Sequence, residues 1–216
     1  NDSIDRNQDF YYLQLYIGIN KSANENLPFS EFTHYPWSYG AFLAVGREVT
    51  PLWGWRAALR INRNKSRNVQ ECESPDTYAW NNAALFGDLT FDVSDVLRKT
   101  PRDKTPRFNM KAFAGIGAAY TWNFSNVPLS YTHEYSRESR LLPALRAGLT
   151  ASYQVGERWR IGAEISQTLF EDHFNGVAYD MPMDGRTNLK VGVAYLFAKE
   201  KKRAPKPVVR KNKLKR

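Results

Sequence analysis

The sequence predicts an all-β protein: an eight-stranded antiparallel up-and-down transmembrane β-barrel. Three observations carry that expectation. Apolar and polar residues alternate with period two in eight separate segments. The connections between those segments alternate between long and short. One strand face collects small residues together with charges of both signs, which suits a crowded interior better than a water-facing surface.

The elements follow in order. The first strand, about Phe10 to Asn20, sets Tyr11, Leu13, Leu15, Ile17 and Ile19 against Tyr12, Gln14, Tyr16, Gly18 and Asn20. The second, about Tyr39 to Val49, sets Ala41, Leu43 and Val45 against Gly40, Phe42, Ala44 and Gly46. The third, about Leu52 to Arg63, sets Trp53, Trp55, Ala57, Leu59 and Ile61 against Gly54, Arg56, Ala58, Arg60 and Asn62. The fourth, about Tyr78 to Val93, sets Leu85, Leu89, Phe91 and Val93 against Phe86, Asp88, Thr90 and Asp92. The fifth, about Phe108 to Trp122, alternates Ala112, Ala114 and Ile116 with Lys111, Phe113, Gly115 and Gly117. The sixth, about Ala144 to Val155, alternates Leu145, Leu149 and Tyr153 with Arg146, Gly148 and Thr150. The seventh, about Trp159 to Phe170, alternates Ile161, Ile165 and Leu169 with Arg160, Gly162 and Glu164. The eighth, about Thr187 to Phe197, alternates Leu189, Val191 and Val193 with Lys190, Gly192 and Ala194. Most segments reach the roughly 9–11 residues that a tilted strand needs to cross a bilayer. Ser94 to Arg98 suits one helical turn.

Long loops are expected at about Lys21 to Ser38, Asn64 to Thr77, Asn123 to Arg140 and Glu171 to Arg186. Short turns are expected at Thr50-Pro51 and Gly156 to Arg158, with a longer exception at Ser94 to Pro106. Long and short connections then fall on opposite rims, as in outer-membrane barrels. A soluble barrel would turn its apolar face inward. The small polar face argues for the reverse. So do its charges: Arg56, Arg60, Lys111, Arg146, Arg160 and Lys190 can meet Asp88, Asp92 and Glu164. Trp53, Trp55, Tyr153, Trp159, Tyr195 and Phe197 gather near one rim, where an amphipathic ring suits a membrane interface.

Composition bounds the alternatives. The chain has 216 residues, 14% of them aromatic. Mean hydropathy is −0.58, which a membrane strand tolerates because only alternate residues face lipid. No run of about 18 apolar residues offers a helical span. The net charge of +9 suggests a nucleic-acid partner at first. Ten of the 31 basic residues, with one acidic residue, lie between Ala198 and Arg216, so the barrel itself is balanced and nucleic acid is not expected. Segments 1–9 and 198–216 are expected as periplasmic extensions of a barrel over 10–197. Cys72 is the only cysteine, which excludes an internal disulfide. Asn1 suits a mature N-terminus after removal of a leader.

The last strand, Lys190 to Phe197, carries a polar residue, a glycine, an aromatic and a terminal aromatic at Lys190, Gly192, Tyr195 and Phe197. This resembles the signal by which barrel assembly machinery recognises its clients. The stretches Val45 to Arg56, Phe86 to Asp92 and Ala112 to Gly117 resemble the barrel domain of the OmpA family in its Bacteroidetes-type branch. That resemblance implies a structural outer-membrane protein. It also implies a following periplasmic domain that holds peptidoglycan, and Ala204-Pro205-Lys206-Pro207 looks like the start of the linker to it. The sequence in hand contains no such domain.

Catalytic chemistry is not expected. His34, His133 and His173 fall in predicted loops without metal-ligand spacing, and no cofactor motif is found. Ser130, His133 and Glu134 lie close in sequence, but proximity in a loop fixes no geometry. A pore is disfavoured by Tyr12, Tyr16, Phe42, Phe86 and Phe113 on the inner face. The expected role is a structural barrel of the bacterial outer membrane. The alternative is an accessory subunit of a larger outer-membrane complex, docked through aromatics such as Tyr35-Pro36-Trp37-Ser38-Tyr39.

Overall fold

The computed structural model describes residues 10–23, 36–67, 77–97, 107–126, 134–135, 138–178 and 183–197. Eight long strands form a closed antiparallel barrel. They are β1 (Phe10–Ala23), β2 (Ser38–Glu48), β3 (Trp53–Arg67), β4 (Thr77–Asp92), β5 (Phe108–Ser125), β7 (Arg140–Val155), β8 (Trp159–Glu171) and β10 (Met183–Phe197). Two short strands, β6 (Glu134–Tyr135) and β9 (Val177–Ala178), pair with each other above the barrel. One helical turn, α1 (Val93–Leu97), connects β4 to β5.

Each barrel strand pairs with its sequence neighbours, and β1 closes the ring against β10. The closing register sets Tyr11 opposite Phe197, Tyr16 opposite Gly192 and Gly18 opposite Lys190. Glycine is required at this seam for space. A Cβ on Gly192 would fall against the Leu15 carbonyl oxygen and the Tyr16 ring. At the β7–β8 turn the reason is conformational instead: Gly156 has φ of 80°, a left-handed backbone that favours glycine. The β2–β3 turn is tied by Trp53 N–H donating to Thr50 Oγ1 at 2.9 Å.

The two faces separate as the alternation demands. Ile17, Leu85 and Ile116 point outward and are more than 60% exposed, whereas Tyr16, Phe42, Phe86 and Arg60 point inward and are about 1% exposed or less. Burial is therefore inverted relative to a soluble barrel. Outward aromatics pack along the rim of the short turns. Trp159 meets Tyr195 edge-on at 5.0 Å, Tyr195 meets Phe197 at 5.0 Å, and Trp53 tilts on Phe91 at 4.8 Å.

Five strands extend by three or four residues further than alternation alone suggested, among them β5, which runs on to Ser125. β1 and β3 run on to Ala23 and Arg67, β7 begins at Arg140 and β10 at Met183. Pro143 lies inside β7, and Asp184-Gly185 inside β10, and both read locally as loop. Cross-strand pairing overrides that local preference: Gly185 sits opposite Leu169 and Ala23. The predicted loop ending at Arg186 is thus shorter than expected. The proposed extensions at 1–9 and 198–216, together with Cys72, His34 and His133, lie outside the described residues.

The seam makes a testable demand. Gly192→Val is expected to prevent ring closure, abolishing the compact, heat-modifiable form on gels. Val191→Ala, one residue away and facing outward, is expected to retain it.

Candidate functional site in the barrel interior

The alternation that turns Arg56 and Arg60 inward on β3 also turns Asp88 inward on β4, Arg146 on β7 and Glu164 on β8. These five residues form one continuous chain of ion pairs. Arg146 Nε donates to Asp88 Oδ1 at 2.7 Å, and its Nη2 donates to Oδ2. Arg56 Nε donates to Asp88 Oδ2 at 2.8 Å, while Arg56 Nη1 donates to Glu164 Oε2 at 2.8 Å. Arg60 Nη2 donates to the other Glu164 oxygen. The chain therefore runs Arg146–Asp88–Arg56–Glu164–Arg60. Strands β3 and β8 are four positions apart in the eight-strand ring, so the arginine–Glu164 pairs cross the full diameter of the barrel.

Register explains how the groups meet. Arg56 and Asp88 are direct cross-strand partners. Gly115 of β5 sits between Asp88 and Arg146, opposite both. A Cβ on Gly115 would collide with the Asp88 carboxylate, so the missing side chain gives Asp88 and Arg146 room to meet. Aromatic rings fill the remaining space and face the guanidiniums. Arg56 lies 4.4 Å from the Phe113 centroid, and Arg146 lies 4.4 Å from that of Phe86.

The other predicted lumen charges are placed differently. Lys111 pairs with Glu48 of β2, a residue the sequence reading overlooked because it adjoins a turn. Continuing the alternation of β2 by one step would have found it. Asp92 accepts from Asn109 and, at 2.9 Å, from the backbone N–H of Asp95 in α1. Arg160 feels the negative charge of Asp92 and lies 5.6 Å from the Phe10 ring. Lys190 Nζ reaches Asn62 Oδ1 at 3.4 Å rather than a carboxylate.

Above this layer the lumen is polar but neutral in its partners, then aromatic. Arg186 Nη1 donates to Asn82 Oδ1 at 2.7 Å and to Asn64 Oδ1 at 3.2 Å. Phe174 stacks on Phe170 at 3.7 Å and meets Trp80 edge-on at 5.6 Å. Arg186 and Phe174 were hidden from sequence reasoning inside a predicted loop. Below the ion chain, a residual cavity of about 30 Å³ is lined by Tyr12, Tyr16, Lys111 and Arg160 among others. That is room for one or two waters. Around the described residues the interior is thus a filled core of salt bridges and rings.

Of the four assembly-signal positions, Lys190 and Gly192 face inward, whereas Tyr195 and Phe197 join the outer rim of aromatics. His173 lies in the turn after β8 with φ of 101°. Glu134 lies in β6. No group of three metal-ligating side chains occurs among the described residues.

Breaking a buried pair leaves its partner uncompensated, at about 3–5 kcal/mol. Glu164→Ala leaves Arg60 without a carboxylate and Arg56 with Asp88 alone, and is expected to lower unfolding stability by about that range in urea titrations of the refolded protein. Lys111→Met, at the partly open lower rim, is expected to cost clearly less.

No protein-family model matches this chain, and no curated protein sequence is similar to it. Solved structures do resemble it in fold. Neisserial surface protein A superposes with a TM-score of 0.55 at 12% identity, covering 87% of this chain and 97% of that one. A major outer membrane protein from Thermus thermophilus gives a TM-score of 0.54 at 13% identity, covering 88% of this chain and 100% of that one. This chain has the fold of the eight-stranded outer-membrane barrels.

Proposed function

We propose that the protein is a structural β-barrel of the bacterial outer membrane, without catalytic activity and with membrane lipid as its main contact. The inverted burial carries this reading. On β3 the outward residues run apolar from Trp53 to Ile61, and on β1 from Tyr11 to Ile19. Nine residues at ~3.3 Å each, tilted by ~40°, span on the order of 20–25 Å, close to the apolar band of such barrels. Outward charge and amide groups begin just above it, at Arg63, Asn81 and Gln167. In water such a belt would be a very large exposed apolar patch. The packed lumen supports a structural role over a conducting one.

In this reading the segments 1–9 and 198–216 lie in the periplasm, because β1 begins and β10 ends on the rim of the short turns. The OmpA-type motifs and the basic tail extend the proposal: the tail leads toward the cell wall, and peptidoglycan tethering belongs to a domain beyond it. Lys190, Gly192, Tyr195 and Phe197 serve recognition by the assembly machinery. A second reading, as a subunit docked to other outer-membrane proteins, draws on Trp37 and Tyr39, both more than 50% exposed beside the first outer loop.

The membrane reading is tested at Leu15, midway along the β1 belt. An arginine at the bilayer midplane costs about 2–4 kcal/mol. Leu15→Arg is expected to lower stability by that amount in lipid vesicles, and wild-type protein is expected to precipitate when detergent is removed. Wild-type protein that stays monomeric without detergent, with Leu15→Arg equally stable, would refute the proposal. Fixed-ratio co-purification with other barrels would favour the subunit reading.

A further inference from the structure

From the ion chain upward, the lumen holds more positive than negative charge. Among the described residues, Arg56, Arg60, Arg146, Arg186 and Lys190 are buried there, against the carboxylates of Asp88, Glu164 and Asp184. Asp88 and Glu164 are engaged by Arg56, Arg60 and Arg146. Asp184 accepts from the backbone N–H of Asn175 at 3.1 Å and from its side-chain amide at 2.8 Å. Arg186 and Lys190 hydrogen-bond to neutral asparagine oxygens instead. Asn62 Nδ2 donates to Asn82 Oδ1 at 3.2 Å, so the asparagines link the two cations into one cluster.

The surroundings of Arg186 define where a ligand would sit. The rings of Phe170 and Phe174 lie 4.8 and 5.4 Å from its guanidinium carbon. Nη1 is taken by Asn64 and Asn82. Nε and Nη2 meet no protein acceptor among the described residues, although Arg186 is 0% exposed. Those two N–H groups form the side-on edge of the guanidinium fork, which binds anions through two parallel hydrogen bonds. Two neighbouring donors are also without a protein partner among the described residues: Asn82 Nδ2, on the side chain that accepts from Arg186, and Trp80 Nε1, on the ring beside Phe174. An arginine cannot shed its proton to escape burial. A buried cation with only neutral partners is strongly unfavourable unless a negative charge joins it.

We propose that the upper lumen binds a small anion, seated on the Nε–Nη2 edge of Arg186 with Lys190 supplying the second positive charge. The Phe170 and Phe174 rings pack 4.8 and 5.4 Å from the guanidinium carbon, so the proposed ligand is of halide or few-atom size. The inference rests on interior geometry and holds whichever functional reading is correct.

The probe is bromide. Crystals of the full chain equilibrated with bromide are expected to give an anomalous peak within about 3.5 Å of Arg186 Nε or Nη2. In detergent, at constant ionic strength, replacing gluconate with bromide is expected to raise the melting temperature of the wild type by several degrees, saturably. Arg186→Gln is expected to abolish that shift. Lys190→Met, which keeps Arg186, is expected to raise the bromide concentration for half-effect about tenfold or more. The proposal is overturned if no bromide peak appears at Arg186. It is equally overturned if a carboxylate of the chain itself occupies that edge, or if the bromide response is the same in the wild type and a folded variant.

Discussion

The structure depends on one constraint: a barrel that turns its apolar side chains outward must satisfy every polar group inside. Arg56 is the centre of that solution. It holds the neighbouring strand through Asp88 and the opposite wall through Glu164, so one guanidinium joins β3, β4 and β8. Such pairs are poor sources of net stability compared with apolar packing, because both charges must leave water. Their value lies in registration. A one-residue slip of β3 would turn both arginines toward the outer face and turn Trp53, Trp55 and Leu59 into the lumen.

The same constraint accounts for the glycines and the rings. Eight strands enclose little volume, so each long inner side chain needs a small residue across from it. Gly115 makes room for Asp88, Gly46 for the Tyr12 ring and Gly162 for the Tyr16 hydroxyl. Rings then occupy what the ion chain leaves, and the paired strands β6 and β9 tie two outer loops together above the lumen, with β9 starting shortly after Phe174. The interior is a core in the ordinary sense, built from charges and aromatics rather than aliphatic side chains.

Most of this architecture was legible in the sequence because the strand period is two and never slips within the membrane band. Arg56, Asp88, Arg146 and Glu164 could be placed on one face from alternation alone. Which carboxylate each cation would meet was not legible, since partners come from strands up to four positions apart around the ring. Lys111 turned to Glu48, and Lys190 to an asparagine. Arg186 was missed for a local reason: the aspartate and glycine just before it carry turn propensity that strand pairing overrides, whereas Phe174 does lie in a turn and packs into the lumen from there. The outward or inward sense of the faces rested on small residues and charge signs, not on hydropathy, and those proved the informative features.

The most direct test is a double-mutant cycle between opposite walls. Arg56→Met, Glu164→Gln and the double variant would be unfolded reversibly in lipid vesicles. A favourable coupling between the two residues of about 1–3 kcal/mol is predicted, in the range of buried networked pairs. Strictly additive losses would contradict the account, because Arg56 and Glu164 would then not be holding the two walls together.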